Sequence, residues 1–298
     1  MSAVHVNQLI LEVETRGDPT HPAVLLIMGL GMQLTAWPES FVDQLVQGGY
    51  YVIRFDNRDC GLSSKFDDAA PVSVRRAMLR HMLHLPVKAP YTIADMARDA
   101  EGVLDALAIG RAHVVGASMG GMIAQVVAAS VPGRVQTLTS IMSSSGARNL
   151  PGPRPEAMRA LLSRPDDPDS IESVVEHYQR VYAIIGSPGF PTPEATLRAN
   201  LRRSVTRSYQ PRGTARHMLA VIASGDRSSL LRTIRSPALV IHGKEDVLVP
   251  LECGRDTAAK IPRATLQVIA GMGHDFAPDL VPILTHALLD HFGSERAG

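Results

Sequence analysis

A serine near the middle of this 298-residue chain has neighbours that would suit a nucleophile. Ser118 is the centre of the run GASMG at residues 116–120, which follows an apolar strand-like segment and precedes a helix-like one. A serine hydroxyl is a poor nucleophile unless a base can reach it, and a tight strand-to-helix turn projects it in that way. Glycines at positions 116 and 120 leave the room that such a turn needs. The pattern predicts a nucleophile at Ser118.

A carboxylate and an imidazole that could serve this serine follow later in the chain. Asp246 comes in a turn after the apolar segment 238–242, and His274 ends a glycine-rich loop after another strand-like segment. A base beside the hydroxyl and an acid beside the base are what nucleophilic catalysis by serine requires. We therefore predict that His274 is the general base and that Asp246 orients it.

Strands alternate with helices along most of the chain, which is typical of a mostly parallel sheet covered on both faces. We predict strands at residues 8–14, 23–28, 51–55, 112–116, 137–142, 238–242 and 265–269. We predict helices at residues 38–47, 74–83, 93–107, 121–131, 251–260 and 280–292. Residues 1–142 and 231–298 are predicted to form this α/β core. Functional residues of such sheets gather at the carboxyl ends of the strands, where the three residues fall.

Residues 143–230 interrupt the alternation. They have no good strand, they contain proline-rich breaks, and they have helix-like runs at 156–163, 170–185, 194–209 and 214–223. Apolar side chains in these runs, among them Met158, Tyr182 and Met218, need a surface to pack on. We predict a helical cap over the active site, in which these three residues, together with Trp37 of the core, bind the substrate.

Two further segments carry a resemblance to a known family. The run VLLIMGLG at 24–31 resembles the strand and loop that supply half of the oxyanion hole in α/β-hydrolases. The run FDNRDCGLS at 55–63 resembles their DxRGxGxS turn. The chain order serine, aspartate, histidine is also that of the α/β-hydrolase fold. Met28 stands where the family usually has histidine, and Asp59 stands where it has glycine. The first change removes a side chain that braces the loop but leaves the backbone N–H of Leu30.

The resemblance implies an α/β-hydrolase fold with a twisted, mostly parallel sheet, and acyl transfer as the chemistry. Ser118 would attack an ester carbonyl, His274 would take its proton, and the N–H groups of Leu30 and Met119 would bind the oxyanion. Within the superfamily, the chain most resembles bacterial serine esterases related to aclacinomycin methylesterase. The segments that carry this resemblance are MGLG, RFDNRDCGLS, AHVVGASMGG and GMGH. Glu245 and Asp275 are rival acids, but the family pattern matches Asp246.

Other functions remain open within this resemblance. A serine at the elbow disfavours the haloalkane dehalogenase and epoxide hydrolase branches, which use aspartate. Carbon–carbon bond hydrolysis without a cofactor and haloperoxidase-like perhydrolysis use the same triad, so the sequence does not separate them from ester hydrolysis. Some relatives with a retained triad are small-molecule receptors. We expect an esterase and keep these alternatives.

Charge and hydropathy exclude several partners. The chain has 30 basic and 29 acidic residues, so it has no excess of positive charge with which to bind a nucleic-acid backbone. Its start lacks the features of a signal peptide, and no stretch approaches ~18 uninterrupted apolar residues. We expect a cytoplasmic protein, monomeric or homo-oligomeric, with a small-molecule ester as its substrate and no membrane partner. A basic run in the predicted cap is either a solvated face or an attractor for an anionic substrate group: Arg202, Arg203, Arg207 and Arg212.

No motif has the spacing of a metal or cofactor site. His81 and His84 lie three apart, but no HExxH, CxxC or carboxylate cluster occurs. The run GLG at 29–31 lacks the third glycine of a dinucleotide site. Cys60 and Cys253 are too few to indicate a disulfide framework and are expected to be reduced. We expect no metal and no cofactor.

Overall fold

A single sheet organises the molecule. The computed structural model describes residues 2–69 and 73–293, and within them eight strands form one sheet in the order β1-β2-β4-β3-β5-β6-β7-β8. The strands are β1 (Ser2–Val6), β2 (Leu9–Arg16), β3 (Ala23–Ile27), β4 (Tyr51–Phe55), β5 (Ala112–Ala117), β6 (Val135–Ile141), β7 (Ala238–Gly243) and β8 (Ala264–Ile269). Strand β2 pairs antiparallel with β1 and β4, and all other pairings are parallel.

Helices connect the strands. They are α1 (Glu39–Gln47), α2 (Val74–Met82), α3 (Ile93–Ala106), α4 (Met119–Ser130), α5 (Pro155–Leu162), α6 (Ile171–Ile185), α7 (Glu194–Arg207), α8 (Pro211–Ser224), α9 (Ser228–Leu231), α10 (Leu251–Lys260) and α11 (Val281–Gly293). Among the described residues, no helix is long and apolar enough to cross a bilayer.

The core lies on both faces of the sheet, as expected where parallel strands are covered twice. On one face the buried side chains of α3 and α4 pack on the sheet, and on the other face those of α1 and α11 do so. Strands β3 and β5 lie in the middle of the sheet, and every residue in them is buried. Continuous apolar runs such as AVLLI at 23–27 are therefore required there, whereas an alternating pattern would place polar groups in the core.

The predicted elements agree with the structure, apart from shifts of a few residues in their bounds, the unpredicted short helix α9 and two differences that bear on the sheet and the site. The strand β1 was not predicted. It is a short strand at the edge of the sheet, and mainly its last residue, Val6, is buried. The helix expected from residue 121 begins at Met119, directly after Ser118. This earlier start places the serine at the first turn of α4.

Residues 143–230, which we call the insertion, connect β6 to β7. They contain α5 to α8 and most of α9, and all of them are described and none lies in a strand. The two ends of the insertion meet, because the backbone N–H of Arg227 donates to Ser145 O at 2.9 Å and its guanidinium donates to Ser144 O at 2.8 Å. Burial lowers the pKa of Arg227 to about 10.

Candidate active site

Ser118 occupies the sharp turn between β5 and α4. Its backbone has φ 54° and ψ −119°, a conformation that residues other than glycine rarely adopt. The turn is fixed by two hydrogen bonds: Ser118 N–H donates to Ile141 O at 2.9 Å, and the Ser143 hydroxyl donates to Ser118 O at 2.7 Å. The side chain remains half-buried, so the hydroxyl is held in a strained but defined position from which a ligand can be reached.

The glycines around the serine are there because backbone atoms approach each other closely. A Cβ at Gly116 would overlap the carbonyl oxygen of Gly120, and a Cβ at Gly120 would overlap the carbonyl oxygen of Ile27. Neither obstacle is a flexible side chain that could move aside. Strand β5, the start of α4 and the end of β3 can therefore converge under Ser118 only without side chains at these positions.

His274 lies on the loop after β8, beside the serine. Its Nε2 is 3.0 Å from Ser118 Oγ, and its Nδ1 is 2.7 Å from Asp246 Oδ2. Since the carboxylate can only accept, Nδ1 carries the proton and donates it, which leaves Nε2 to accept from the serine hydroxyl. The backbone N–H of His274 donates to Ile185 O at 2.7 Å, so the end of α6 in the insertion holds this loop.

Asp246 is buried in the turn after β7. Its Oδ1 accepts the N–H groups of Leu248 and Val249 at 2.9 and 2.7 Å, which leaves Oδ2 for His274. His242, which the sequence did not single out for this purpose, donates from Nε2 to Val249 O at 2.7 Å. Burial lowers the pKa of His242, so this ring is neutral and acts as a structural support of the turn.

The two rival acids serve the loop that carries the histidine. Glu245 accepts the N–H of Gly271 at 2.6 Å. Asp275 accepts a hydrogen bond from the hydroxyl of Ser187 in the insertion, and the same hydroxyl accepts the N–H of Gly273 at 2.8 Å. Burial raises the pKa of Asp275. Glu245 and Asp275 thus hold the backbone of the loop that carries His274, whereas the His274 ring is hydrogen-bonded to Asp246.

A tight turn at residues 29–32 covers the serine. Met32 N–H donates to Gly29 O at 3.2 Å, and Gly31 has φ 68°, the arrangement of a type II turn with glycine at its third position. A Cβ at Gly29 would lie 3.1 Å from Ser118 Cβ. The turn therefore lies directly against Ser118, and Leu30 is its second residue.

Two backbone N–H groups at this point have no acceptor. Within residues 2–69 and 73–293, no hydrogen bond uses the N–H of Leu30 or that of Met119. Met119 is the first residue of α4, where the N–H groups of a helix point outward and the helix dipole is positive. Both predicted oxyanion donors are thus unpaired, one in the turn that lies against Ser118 and one in the residue that follows it.

Asp59, one of the two departures from the family pattern, is a buried link to the insertion. Its backbone has φ 63°, and its carboxylate accepts from Arg216 Nε and Nη2, both at 2.7 Å, from the Tyr91 hydroxyl at 2.7 Å and from Phe66 N–H at 2.8 Å. Burial alone would raise the pKa of this carboxyl, but these hydrogen bonds outweigh it and lower the pKa. Asp59 therefore stays charged and paired with α8.

Asp56, three residues earlier, makes a second link of the same kind. Its carboxylate accepts the N–H groups of Leu34 and Leu62 at 2.7 and 2.8 Å and the guanidinium of Arg207 at 2.7 Å. Arg207 belongs to the basic run of the sequence, and Arg202 of that run pairs with Glu172. Two of the four arginines of the basic run are thus paired with carboxylates of this chain, Arg207 with a buried one and Arg202 with one at the surface.

The other departure, Met28, precedes the turn over the serine. Its backbone carbonyl accepts from Asn57 Nδ2 at 3.0 Å. The turn that follows is hydrogen-bonded to a residue of the insertion. His217 of α8 is fully buried, and its Nδ1 accepts the N–H of Gly31 at 3.1 Å. Its Nε2 donates to Arg58 O at 2.6 Å. Burial lowers the pKa of His217 to about 4, so the ring is neutral near pH 7.

Of the four residues predicted to bind substrate, one lies in the core and three are partly accessible. Trp37 is a correction: it is 0% exposed and packs on Phe41 and Phe276, with ring centroids 5.1 and 4.9 Å apart, so it belongs to the core. The large indole fills the space between α1 and the loop after the histidine, and no surface is left for a ligand. Met158, Tyr182 and Met218 are half-buried on α5, α6 and α8.

A groove of about 930 Å³ lies beside the site. Its walls include Tyr182 from the insertion and Glu245, Val247 and Asp275 from the two loops that carry the acid and the base. Ser118 is not among its lining residues. The groove therefore borders the loops of Asp246 and His274 without reaching Ser118.

Both cysteines are free and buried, at Cys60 and Cys253. Burial raises the pKa of each thiol, so neither is activated as a nucleophile. In the described part of the chain, no three histidine, cysteine, aspartate or glutamate side chains are grouped so that they could hold a metal ion.

The sheet order, the strained serine and its two partners define an α/β hydrolase. The chain matches the family described as alpha/beta hydrolase fold over residues 22–279 and belongs to that family. This match confirms the predicted fold.

Individual relatives narrow the class. The chain is 28% identical over 287 residues to rhodomycin D methylesterase of Streptomyces peucetius, with 90% of each chain covered. It is 29% identical over 256 residues to a 2-hydroxy-6-oxononadienedioate/2-hydroxy-6-oxononatrienedioate hydrolase of Burkholderia vietnamiensis, covering 85% of this chain and 80% of that one. The crystal structure of the enol-lactonase from Burkholderia xenovorans LB400 superposes with a TM-score of 0.73 at 22% identity, covering 98% and 100%. The chain is therefore a hydrolase, and the resemblance to methylesterases is confirmed.

Replacing Gly116 by alanine should destabilise the protein strongly, because the new Cβ would overlap a backbone carbonyl. We expect a loss of about 1–3 kcal/mol or more in the free energy of unfolding, measured by urea denaturation. Gly133→Ala is the matched control, since nothing lies within 4 Å of a Cβ there. Equal stabilities of the two variants would show that the convergence under the serine is not tight.

The buried His217 should make stability depend on pH. Its pKa is about 4 in the folded protein and about 6.5 in the unfolded chain. As the pH falls from about 6.5 to 4, the unfolded chain takes up a proton that the native state does not, so stability falls. We expect the stability advantage of the parent over His217→Asn to shrink by up to about 2–3 kcal/mol between about pH 7.5 and pH 4.5. A difference that stays constant with pH would contradict this.

Proposed function

We propose that the chain is a serine hydrolase that cleaves a carboxylic ester of a small to medium apolar substrate through an acyl-enzyme on Ser118. The observation that carries the proposal is the continuous pair of hydrogen bonds from Ser118 Oγ through His274 to Asp246, at 3.0 and 2.7 Å. Two unpaired backbone N–H donors, those of Leu30 and Met119, lie beside the same serine. A nucleophile, a base, an acid and an oxyanion site in these positions are the parts that acyl transfer needs.

The proposed reaction has two steps. In the first, Nε2 of His274 takes the hydroxyl proton while Oγ of Ser118 bonds to the ester carbonyl carbon, and the proton then passes to the departing alcohol. In the second, His274 takes a proton from water while the water oxygen bonds to the acyl carbon, and the proton then passes from His274 to Oγ of Ser118 as the C–Oγ bond breaks and the acid is released. Both tetrahedral intermediates place their negative oxygen at the N–H groups of Leu30 and Met119.

The charges of the site suit this sequence. The imidazole becomes positive in each step, and the buried carboxylate of Asp246 stabilises that charge through the bond to Nδ1. The oxyanion forms at the amino end of α4, where the helix dipole is favourable to negative charge. Hydrogen bonds to two backbone amides hold Asp246 so that it does not need to reorient during the reaction.

The relatives support ester cleavage and also a second candidate. One relative is named a methylesterase, an ester hydrolase by its name. Another is named a hydrolase of 2-hydroxy-6-oxononadienedioate, which keeps carbon–carbon bond hydrolysis as the second candidate, since the same triad could serve it. Turnover of p-nitrophenyl acetate separates both from a receptor, which would retain the ligand or turn over slowly.

We also propose that the insertion is a cap on a core of residues 1–142 and 231–298. Support comes from the contacts that α6, α7 and α8 make with the loops around the serine, described above. In this proposal Met158, Tyr182 and Met218 contact the part of the substrate away from the ester. Burial raises the pKa of Tyr182, so its hydroxyl would be a neutral hydrogen-bond partner there.

The first test is the assignment of the nucleophile. A fluorophosphonate should label Ser118 stoichiometrically, and Ser118→Ala should lose both labelling and ester hydrolysis, because the proposed acyl-enzyme forms on this hydroxyl and burial deactivates both thiols. Labelling is read by mass spectrometry of the intact protein and of its peptides. Retained hydrolysis in the alanine variant would overturn the assignment.

The second test separates the acid from its neighbour. Asp246→Asn should lower kcat by on the order of 10³-fold or more, because the imidazole would lose its orientation and the stabilisation of its charge. Glu245→Gln is the matched control and should lower kcat by less than about 10-fold, since it supports only the N–H of Gly271. A larger loss in the glutamine variant would show that the acid is misassigned.

The third test concerns the insertion as a cap. Trimming Met158, Tyr182 or Met218 to alanine should change the preference for ester chain length, since a pocket contact with one methylene is worth ~1–3 kcal/mol, or about 10- to 200-fold in discrimination. The measurement is kcat/KM for a series of esters from acetate upward. Trp37→Phe is a useful comparison, because a core residue should alter stability and leave the chain-length profile in place. Identical profiles in the parent and all three alanine variants would contradict the cap.

A further inference from the structure

The turn over Ser118 lacks the support that its family usually provides from within the loop. Met28 stands in place of histidine, and a thioether is at most a weak acceptor for a backbone N–H. The Met28 side chain is buried, and the backbone carbonyl of this residue is held by Asn57. The remaining part of the turn, from Leu30 to Met32, therefore needs another partner to keep one conformation.

His217 provides that partner from a position 186 residues away in the chain. Its Nδ1 accepts the N–H of Gly31, and its Nε2 donates to the carbonyl of Arg58. The carbonyl can only accept, so it fixes the tautomer that leaves Nδ1 free of a proton. Because burial keeps the pKa of His217 at about 4, Nδ1 remains an acceptor throughout the neutral range.

The helix that carries His217 is itself fixed against the loop. Arg216, the preceding residue, forms a two-point ion pair with buried Asp59. Thr214, one turn earlier on the same face, is so close that its Oγ1 would be 2.5 Å from a Cβ at Gly31. Because α8 is anchored in this way, the His217 ring has little freedom to move. Its hydrogen bond to the N–H of Gly31 therefore also fixes where Gly31 lies.

We propose that His217 is the positioning residue of the oxyanion hole: by holding the N–H of Gly31 it keeps the turn in one conformation, so that the N–H of Leu30, on the adjoining Gly29–Leu30 peptide, faces the oxygen that becomes negative on the acyl carbon. Rotation of the central peptide, Leu30–Gly31, would change the turn type and the backbone angles of Leu30, and the bond to Gly31 opposes that rotation. The inference rests on the proposed function, because an oxyanion hole has meaning only if Ser118 forms a tetrahedral intermediate.

Two variants separate the two hydrogen bonds of the ring. Asparagine places an amide oxygen near the position of Nδ1 and can still accept from Gly31, whereas glutamine places its amide near Nε2 and can still donate to Arg58. We expect His217→Asn to keep kcat within about 10-fold of the parent, and His217→Gln to lose on the order of 10²-fold in kcat with little change in KM, because a misplaced donor acts mainly in the transition state. His177→Gln, which alters another buried histidine of the insertion, controls for general destabilisation and should leave kcat near that of the parent.

Binding of a transition-state analogue gives a readout that a structural role would not move. A trifluoromethyl ketone forms a tetrahedral adduct with the serine and needs the oxyanion hole, whereas the corresponding methyl ketone does not form a stable adduct. His217→Gln should weaken the first by on the order of 10²-fold and leave the second unchanged. Melting temperatures of all variants are measured alongside. Equal losses for both ketones would overturn the proposal.

A measurement on the parent protein keeps the proposal testable if variants fail to fold. Nitrogen NMR of labelled histidine should show His217 neutral with the proton on Nε2 at about pH 7, and a proton on Nδ1 would overturn the proposal because Gly31 would have no acceptor.

The outcomes distinguish a failure of the proposed function from a failure of the positioning role. If the parent is not labelled by a fluorophosphonate, the proposed function is wrong. If it is labelled and turns over ester, but asparagine and glutamine variants lose kcat equally or not at all, only the positioning role is wrong.

Discussion

A carboxylate that is removed from water is stable as an anion only where cations or several hydrogen-bond donors surround it. Two such carboxylates, Asp56 and Asp59, lie 0% and 1% exposed at the end of β4, and each is matched by an arginine from the insertion. Removing either arginine would leave an unpaired buried charge, so the insertion is bound to the core by more than its apolar surface. The turn over the serine and the loop that carries His274 are both bonded to the docked insertion.

The insertion reaches both halves of the catalytic apparatus. Its helix α8 holds the turn over the serine through His217, and the segment after α6 holds the histidine loop through Ile185 O and Ser187. The core alone supplies Ser118 and Asp246, the proposed nucleophile and acid. A cap that only shaped the substrate pocket would not need these bonds. The proposed cap therefore also holds the loops on which the proposed chemistry depends.

The sequence predicted the local parts of this site well and its long-range parts poorly. Ser118 with its glycines is a contiguous motif, and Asp246 and His274 follow recognisable strands, so residue types and spacing were sufficient to predict that these three side chains meet. The bonds from Arg216 to Asp59 and from His217 to Gly31 join residues 157 and 186 positions apart, and no local pattern marks them. Met28 and Asp59 were visible as departures from the family pattern, but the partners that make sense of them were not. Trp37 was misjudged because a large aromatic side chain beside a catalytic loop fits a pocket wall and a core equally well until packing is known.

The junction at Arg227 has an evolutionary consequence. Where the ends of an inserted segment meet, as they do at Ser144, Ser145 and Arg227, the host sheet closes in the same way whatever lies between them, so lengthening or exchange of the segment is tolerated. Such a junction would make this chain a ready recipient for grafted lids from its relatives. A donor lid without counterparts of Arg207 and Arg216 would leave Asp56 and Asp59 as unpaired buried charges, and one without a counterpart of His217 would leave the turn over the serine without its hydrogen-bond partner. Exchange at this junction would therefore be limited by the docking bonds and not by the closure of the sheet.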